Sequence, residues 1–149
     1  MQSTEKKWVL KHLEDTITLG KQIPRKFPKT KLLMLQGPLG AGKTSLVKGI
    51  AKALNIHEPI TSPTFTLSQH YPTGTPPLIH LDLYRLENPI SANELFFQEE
   101  EEAIAIGGLM VIEWPERLNI EIHDALKIEL RYLPNGDRLA ELFLPKTLS

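Results

Sequence analysis

The segment Gly37-Pro38-Leu39-Gly40-Ala41-Gly42-Lys43-Thr44 fits G-x-x-x-x-G-K-[ST], a pattern typical of loops that bind nucleotide phosphates. Glycines let successive backbone N–H groups turn inward around an anion, and the dipole of a following helix adds positive charge. Lys43 can reach the outer phosphates, and the Thr44 hydroxyl is placed to bind Mg²⁺. We therefore expect this loop, with Ser45, to bind a nucleoside triphosphate. The alternative is an ordinary glycine-rich turn beside a surface lysine.

Two carboxylates are candidates for the metal side of such a site. Glu113 directly follows the apolar run 109–112, which is typical of a strand buried on both faces. Asp82 follows a second strand-like run, over 78–81, that is interrupted by His80. The C-terminal ends of parallel strands meet at one edge of the sheet, and a phosphate loop lies at the same edge. Both carboxylates should therefore face the phosphates.

We predict that Glu113 shares Mg²⁺ with Thr44, and that Asp82 orients the attacking water or contacts the metal through water. The competing interpretations are a strand-end surface charge for Glu113, and for Asp82 a partner of Arg85 or of a nearby backbone amide. We interpret His80 as a hydrogen-bonded core histidine rather than a base.

A third element of the site is the hydroxyl-bearing segment Thr61-Ser62-Pro63-Thr64. Nucleotide switches place a residue that senses the γ-phosphate in a loop after the first helix, which makes Thr64 a candidate. An ordinary polar loop containing proline is the alternative. The chain lacks an Asn-Lys-x-Asp guanine reader, and its five arginines do not cluster as in the lid of many nucleotide kinases. The residues alone therefore indicate a small Mg²⁺-dependent NTPase.

The apolar periodicity predicts the elements that position these residues. A short buried strand over 31–36 leads into the phosphate loop, and apolar residues recur at helical spacing from 46 to 54. Upstream we predict a strand within 6–13 and a helix from Glu14 to about Ile23, ended by Pro24. We interpret the basic stretch 24–31 as a solvated linker rather than a contact for a polyanion.

Downstream, a strand is predicted from about Phe65 and another over 78–85. Ser91 as N-cap, with Glu94 three residues later, predicts the start of a helix that ends before Gly107. Its glutamates at 99–102 are expected to form a solvated acidic face. The turn 134–137, which contains Asn-Gly, predicts a hairpin between strands over 125–133 and 138–144.

Alternation of strands and helices followed by a hairpin predicts an α/β fold. We expect a three-layer, mainly parallel sheet flanked by helices, with a C-terminal antiparallel hairpin appended, in a single domain over residues 1–149. The 41% apolar and 23% charged residues and the net charge of −1 indicate a soluble globular protein with no demand for direct binding to nucleic acid or membrane. No cysteine is present, and no secretory signal or membrane span is apparent. We expect a cytoplasmic location.

Four motifs occur in a fixed order: the phosphate loop, Ser62-Pro63-Thr64-Phe65-Thr66-Leu67, His80-Leu81-Asp82-Leu83-Tyr84-Arg85 and Glu113-Trp114-Pro115-Glu116. In order and spacing they resemble the bacterial tRNA threonylcarbamoyladenosine biosynthesis ATPase family of the TsaE type. The resemblance covers roughly residues 14–118. It implies a P-loop NTPase fold, ATP and Mg²⁺ as cofactors, and Thr44 and Glu113 as metal ligands, with Asp82 important for ATP hydrolysis.

The same resemblance implies a biological role. Family members act with the TsaD–TsaB pair, which transfers a threonylcarbamoyl group to the adenosine beside the anticodon, so that contact with tRNA is indirect. It also places Thr16 and Arg138 near the nucleotide base and raises the case for Thr64 as a switch residue. One departure is Phe96-Phe97 after Glu94-Leu95, where many members have a glycine, which puts the partner contacts of this segment in doubt.

Three functions are therefore compared. The first is an ATPase, weak alone and stimulated by its partners, that supports this tRNA modification. The second is a small-molecule or nucleotide kinase, in which an acceptor hydroxyl replaces water. The third is a binding module switched by ATP without turnover.

Overall fold

The structure is a computed structural model that describes residues 4–145 of the chain. The predicted single domain over 1–149 includes termini that lie outside these residues, and it stays a prediction. Within the described range, no helix is long and apolar enough to cross a membrane. The elements in chain order are β1 (Thr4–Leu10), α1 (Leu13–Lys26), β2 (Leu32–Gln36), α2 (Lys43–Ala53), β3 (Ser68–Tyr71), β4 (Leu78–Asp82), α3 (Pro89–Ile106), β5 (Leu109–Glu113), a 3₁₀ turn (Pro115–Arg117), β6 (Leu126–Tyr132) and β7 (Arg138–Phe143).

The strands form one sheet in the order β1-β7-β6-β2-β5-β4-β3. The four central strands, β6, β2, β5 and β4, are parallel. The strands β7, β1 and β3 pair antiparallel with their neighbours at the two sides. This confirms the predicted α/β sheet with an appended C-terminal hairpin.

Helices cover both faces of the sheet and create two apolar cores. On one face α1 and α2 pack over side chains such as Leu33 and Val111, and on the other α3 packs over Ile79 and Ile112. Because side chains alternate along a strand, neighbouring residues of β4 and β5 belong to opposite cores. The three-layer arrangement is therefore confirmed.

The helices α1 and α2 cross with their backbones in close approach. A Cβ atom placed on Gly20 would overlap the carbonyl oxygen of Leu46, and one on Gly49 would overlap that of Ile17. Any larger residue at either position would force the helices apart. This crossing brings the start of α1 next to the start of α2.

Two predicted helix boundaries are wrong. α1 continues through Pro24 to Lys26, because a proline in the last turn removes only one backbone donor, and the amide of Phe27 still bonds to the carbonyl of Ile23 at 2.9 Å. α3 begins at Pro89, two residues before the predicted cap Ser91. The side chain of Asn88 accepts from the amide of Ile90 at 2.9 Å, and a proline at the first helical position has its φ already set.

Three further expectations need correction. The strand expected from about Phe65 begins at Ser68, because residues 63–67 close a turn in which the Leu67 amide donates to the Pro63 carbonyl at 2.6 Å. The acidic run of α3 is not wholly solvated: Glu99 is buried and bonds to His70 Nε2 at 2.8 Å. The strand predicted over 78–85 ends at Asp82.

Candidate nucleotide and metal site

The phosphate loop connects the end of β2 to the start of α2, as predicted. Gly40 and Gly42 have φ values of +78° and +106°, which residues with a Cβ atom rarely adopt. Ala41 between them is fully buried. The loop thus has the backbone conformation that lets amide groups turn toward an anion at the first turn of α2.

The C-terminal hairpin contacts the apex of this loop. The Tyr132 hydroxyl donates to the Gly40 carbonyl at 2.7 Å, and Arg138 Nη2 donates to the same oxygen at 3.3 Å. The guanidinium of Arg138 lies 5.5 Å from the centre of the Tyr132 ring. The hairpin therefore supports a loop that lies 92 residues earlier in the sequence than Tyr132 and 98 residues earlier than Arg138.

Lys43, the first residue of α2, is buried with its ammonium group inside the site. Its Nζ donates to the Gly37 carbonyl at 2.6 Å and lies 4.3 Å from the centre of the Trp114 ring. Burial lowers the pKa of Lys43 below its ordinary value, against the attraction of Glu113 and Asp82. The site accordingly favours an additional anion beside this lysine.

Asp82 and Glu113 lie side by side at the ends of β4 and β5, where they are direct register partners. Their exposed fractions are only 2% and 3%. Asp82 accepts from the Thr64 hydroxyl at 2.8 Å and from the Tyr84 amide at 2.9 Å. Glu113 accepts from His80 Nε2 at 2.7 Å. Two adjacent buried carboxylates repel each other, which makes the position suited to a cation.

A cavity of about 340 Å³ joins these groups to the phosphate loop. Mg²⁺ prefers oxygen ligands and is usually held by one or two carboxylates together with nucleotide phosphates. The Thr44 hydroxyl and the Glu113 and Asp82 carboxylates fit that donor set. No cluster of three or more His, Cys, Asp or Glu suited to a metal occurs among residues 4–145, and a nucleotide-bound Mg²⁺ does not need one. The cavity is lined by Leu13, Leu39, Gly40, Gly42, Lys43, Thr44, Ser45, Ser62, Thr64, Asp82, Glu113, Trp114 and Arg138.

Thr16 and Arg138 both lie beside Gly42. The Thr16 methyl carbon and Arg138 Cδ are 3.5 Å and 3.8 Å from where a Cβ would stand on that glycine. Arg138 lines the cavity. Thr16 is fully buried, and its hydroxyl has no hydrogen-bond partner within the described part of the chain. The geometry thus brings both residues to one side of the phosphate loop, and their role toward a nucleotide base stays a prediction.

The segment around Thr64 faces the carboxylate side of the cavity. Besides its bond to Asp82, the Thr64 hydroxyl lies 2.8 Å from Ser62 Oγ. The alternative pairing of Asp82 with Arg85 is not what the structure shows, because the Arg85 guanidinium lies 4.9 Å from the centre of the Phe65 ring. The other alternative, a backbone amide as partner of Asp82, agrees with the hydrogen bond that Asp82 accepts from the Tyr84 amide.

Three side chains at the site were not predicted to contribute to it. His80 contacts Glu113, Trp114 lies against Lys43, and Tyr132 contacts the loop. Of the three, only His80 could have been found from the sequence. A residue two positions before Asp82 on a strand lies on the same face of the sheet and therefore close to the site. Trp114 adopts a left-handed conformation with φ of +59°, which no spacing in the sequence indicates.

The known proteins to which this chain is similar share one family description. The family model "Threonylcarbamoyl adenosine biosynthesis protein TsaE" matches residues 10–139. A protein named tRNA threonylcarbamoyladenosine biosynthesis protein TsaE from Nostoc sp. is 43% identical over 131 residues, covering 87% of this chain and 80% of its own. The protein of the same name from Treponema pallidum is 40% identical, covering 87% and 94%.

A solved structure supports the same conclusion. The crystal structure of Bacillus subtilis YdiB is similar with a TM-score of 0.74 and 27% identity, covering 99% of this chain and 90% of that one. This overall similarity fits the P-loop fold. The family model matches most of the chain, and the two named relatives are 43% and 40% identical to it. The chain therefore belongs to the TsaE family.

Proposed function

We propose that this chain is a Mg²⁺-dependent ATPase that supports threonylcarbamoylation of the adenosine next to the anticodon, in tRNAs that read codons beginning with adenine. The names of its relatives support the pathway. One observation supports the chemistry most directly: the buried pair Asp82 and Glu113 faces Lys43 across a cavity at the phosphate loop. Because the pathway modifies tRNA, we propose a cytoplasmic location.

In this proposal the loop amides and Lys43 bind the β- and γ-phosphates, and Thr44 and Glu113 bind Mg²⁺. The metal would neutralise charge on the phosphate oxygens. Asp82, with its carboxylate positioned by Thr64, orients the attacking water. The water oxygen forms a bond to the γ-phosphorus as the bond to the β–γ bridging oxygen breaks, and the negative charge is spread over fixed donors.

We propose further that hydrolysis is weak in the isolated chain and is stimulated by the TsaD–TsaB pair. Arg85, the nearest candidate for a charge-stabilising arginine in the sequence, lies against Phe65 instead of Asp82. Phe65 is 81% exposed, so this arginine and its aromatic neighbour lie at the surface beside the site. A partner that contacts this surface can change the position of the Thr64 segment. Contact with tRNA would then be indirect, through the partners.

The test measures phosphate release from Mg²⁺·ATP by the purified chain, alone and with its partners. We expect Glu113→Gln and Asp82→Asn each to lower turnover by roughly 10²–10³-fold, because the first removes a ligand of the metal that neutralises transition-state charge and the second removes the group that orients the water. Glu101→Gln, on the exposed surface of α3, is the matched control. Full activity in either site variant would remove that residue from the scheme.

The alternatives are separated by their products. A kinase would give a phosphorylated acceptor, and a switched binding module would bind ATP tightly without turnover even with partners present. Depletion in cells followed by nucleoside analysis of bulk tRNA tests the biological role. Undiminished threonylcarbamoyladenosine would overturn it.

A further inference from the structure

His80 is an unusual residue for the centre of a sheet. It lies on β4 with an exposed fraction of 0%, two residues before Asp82 and on the same face. The neighbouring side chains on this face of the sheet are apolar and include Leu78 and Val111. An aliphatic residue would fill this position at a lower cost in folding free energy, because a buried imidazole loses its hydrogen bonds to water.

Within residues 4–145, the side chain of His80 makes one hydrogen bond, with Glu113. In the register of β4 and β5, His80 is opposite Val111, and Glu113 is its diagonal neighbour two residues on. The Nε2–Oε2 distance is 2.7 Å. An ionised carboxylate can only accept, so Nε2 donates, while Nδ1 has no partner among residues 4–145. All the hydrogen bonding of this buried ring is therefore directed at one oxygen of Glu113.

That bond limits what the carboxylate can do. Glu113 is adjacent to Asp82, and without a donor its charge would favour another rotamer, away from the like charge. A ligand whose orientation is set by a neighbouring hydrogen bond binds metal more tightly, since less freedom is lost on binding. With Oε2 occupied by His80, the other oxygen stays available at the cavity.

We propose that His80 is a positioning residue for the metal site: it binds one oxygen of Glu113 and so directs the carboxylate to Mg²⁺. The proposal rests on the proposed role of Glu113 in binding the metal. It assigns His80 no contact with the nucleotide and no proton transfer. Its consequence is a loss of metal affinity, without a loss of nucleotide affinity, when the donor is removed.

The experiment measures ADP binding in EDTA and then the Mg²⁺ concentration that half-saturates the ADP complex. The chain has two tryptophans, so Trp8→Phe leaves Trp114, at the cavity, as a single fluorescence reporter. We compare His80→Phe, which keeps a ring, with His80→Gln, whose amide nitrogen can take the place of Nε2, and His80→Asn, which is too short to do so. His70→Phe is the matched control, because it removes a His–Glu bond of 2.8 Å away from the cavity.

We expect the half-saturating Mg²⁺ concentration to rise roughly 10–100-fold in His80→Phe and His80→Asn, and to change only a few-fold in His80→Gln. Affinity for ADP in EDTA should be unchanged in all variants, and His70→Phe should match the parent. An unchanged Mg²⁺ requirement in His80→Phe, or equal losses in the Gln and Asn variants, would overturn the proposal. If His80→Phe does not fold, the Gln and Asn pair gives the same decision.

This outcome is separate from that of the proposed function. The binding measurement needs no turnover, so a chain that binds Mg²⁺·ADP but does not hydrolyse ATP would still test His80. Absence of ADP binding by the parent chain would overturn the nucleotide site itself, and the proposal for His80 with it.

Discussion

The two faces of the central sheet bury very different side chains. The face under α1 and α2 contains the buried polar residues of the site. On the face under α3, Glu99 is the one buried charged residue among those that the structure describes. Burying charge costs free energy unless partners compensate it, so a concentration of such groups on one face indicates a function there. The polar residues of the first face are Thr16, Lys43, His80, Asp82 and Glu113.

The second face differs in what it leaves exposed. Ile90, Phe97 and Ile104 recur every seven residues along α3 with exposed fractions of 65%, 52% and 73%. They form a solvent-facing edge of the helix, where Phe97 and Ile104 border a cleft that also reaches Leu32 and Met110 of the sheet. One face therefore places reactive groups in an apolar surrounding, whereas the other supplies an apolar support and leaves large apolar side chains of α3 exposed.

The largest effect should follow from Lys43→Met. Its ammonium is the buried positive charge at the phosphate loop, so its removal should weaken Mg²⁺·ATP binding or turnover by roughly 10²–10³-fold. Lys48→Met, exposed on the same helix, is the control. Equal effects of the two substitutions would show that the contrast between buried and exposed lysines has no functional meaning.

The pH dependence of the same lysine should come next. Burial lowers the pKa of Lys43, so the free protein loses this proton at a lower pH than an exposed lysine does, and ATP affinity should then fall by about tenfold per pH unit. The effect on folding has the opposite sign. Between the lowered pKa of Lys43 in the folded state and its ordinary pKa in the unfolded state, the folded state binds fewer protons, so the free energy of unfolding rises with pH relative to that of Lys43→Met. Titration calorimetry and denaturant unfolding between neutral and alkaline pH measure both.

Gly49→Val should affect the first face without touching its chemistry. The added side chain overlaps the backbone of α1 at Ile17, so we expect the free energy of unfolding to fall by about 1–3 kcal/mol. Lys52→Val on the exposed side of α2 controls for the intrinsic helix preference of valine. Unchanged stability in Gly49→Val would mean that the two helices can separate freely.

The smallest effect is expected on the outer side of α3. The double variant Ile90→Ser, Ile104→Ser should change the free energy of unfolding by no more than about 1 kcal/mol, about 0.5 kcal/mol at each position, and leave ATP turnover of the isolated chain unchanged. Phe96→Ser, buried on the same helix, is the matched comparison and should cost about 3–5 kcal/mol. A large loss in the double variant would show that the two sides of α3 are not separable.

Much of the site could be predicted because its parts are local. The spacing of glycines, Lys43 and Thr44 predicts a phosphate loop, and apolar runs ahead of Asp82 and Glu113 predict strand ends at the same edge. The errors have local causes as well. At the start of α3, Asn88 with Pro89 is a stronger signal than Ser91, and in α1 the proline lies in the last turn, where it does not end the helix.

The sequence by itself determined the chemistry of the loop and the edge of the sheet at which it would lie, since backbone geometry and strand ends follow from neighbouring residues. Tertiary structure alone decided that His80 binds Glu113 and that Tyr132 supports Gly40. Those contacts depend on the register of β4 against β5 and on the packing of the hairpin. Both are set by the packing of the whole core, and no short segment of the chain contains them.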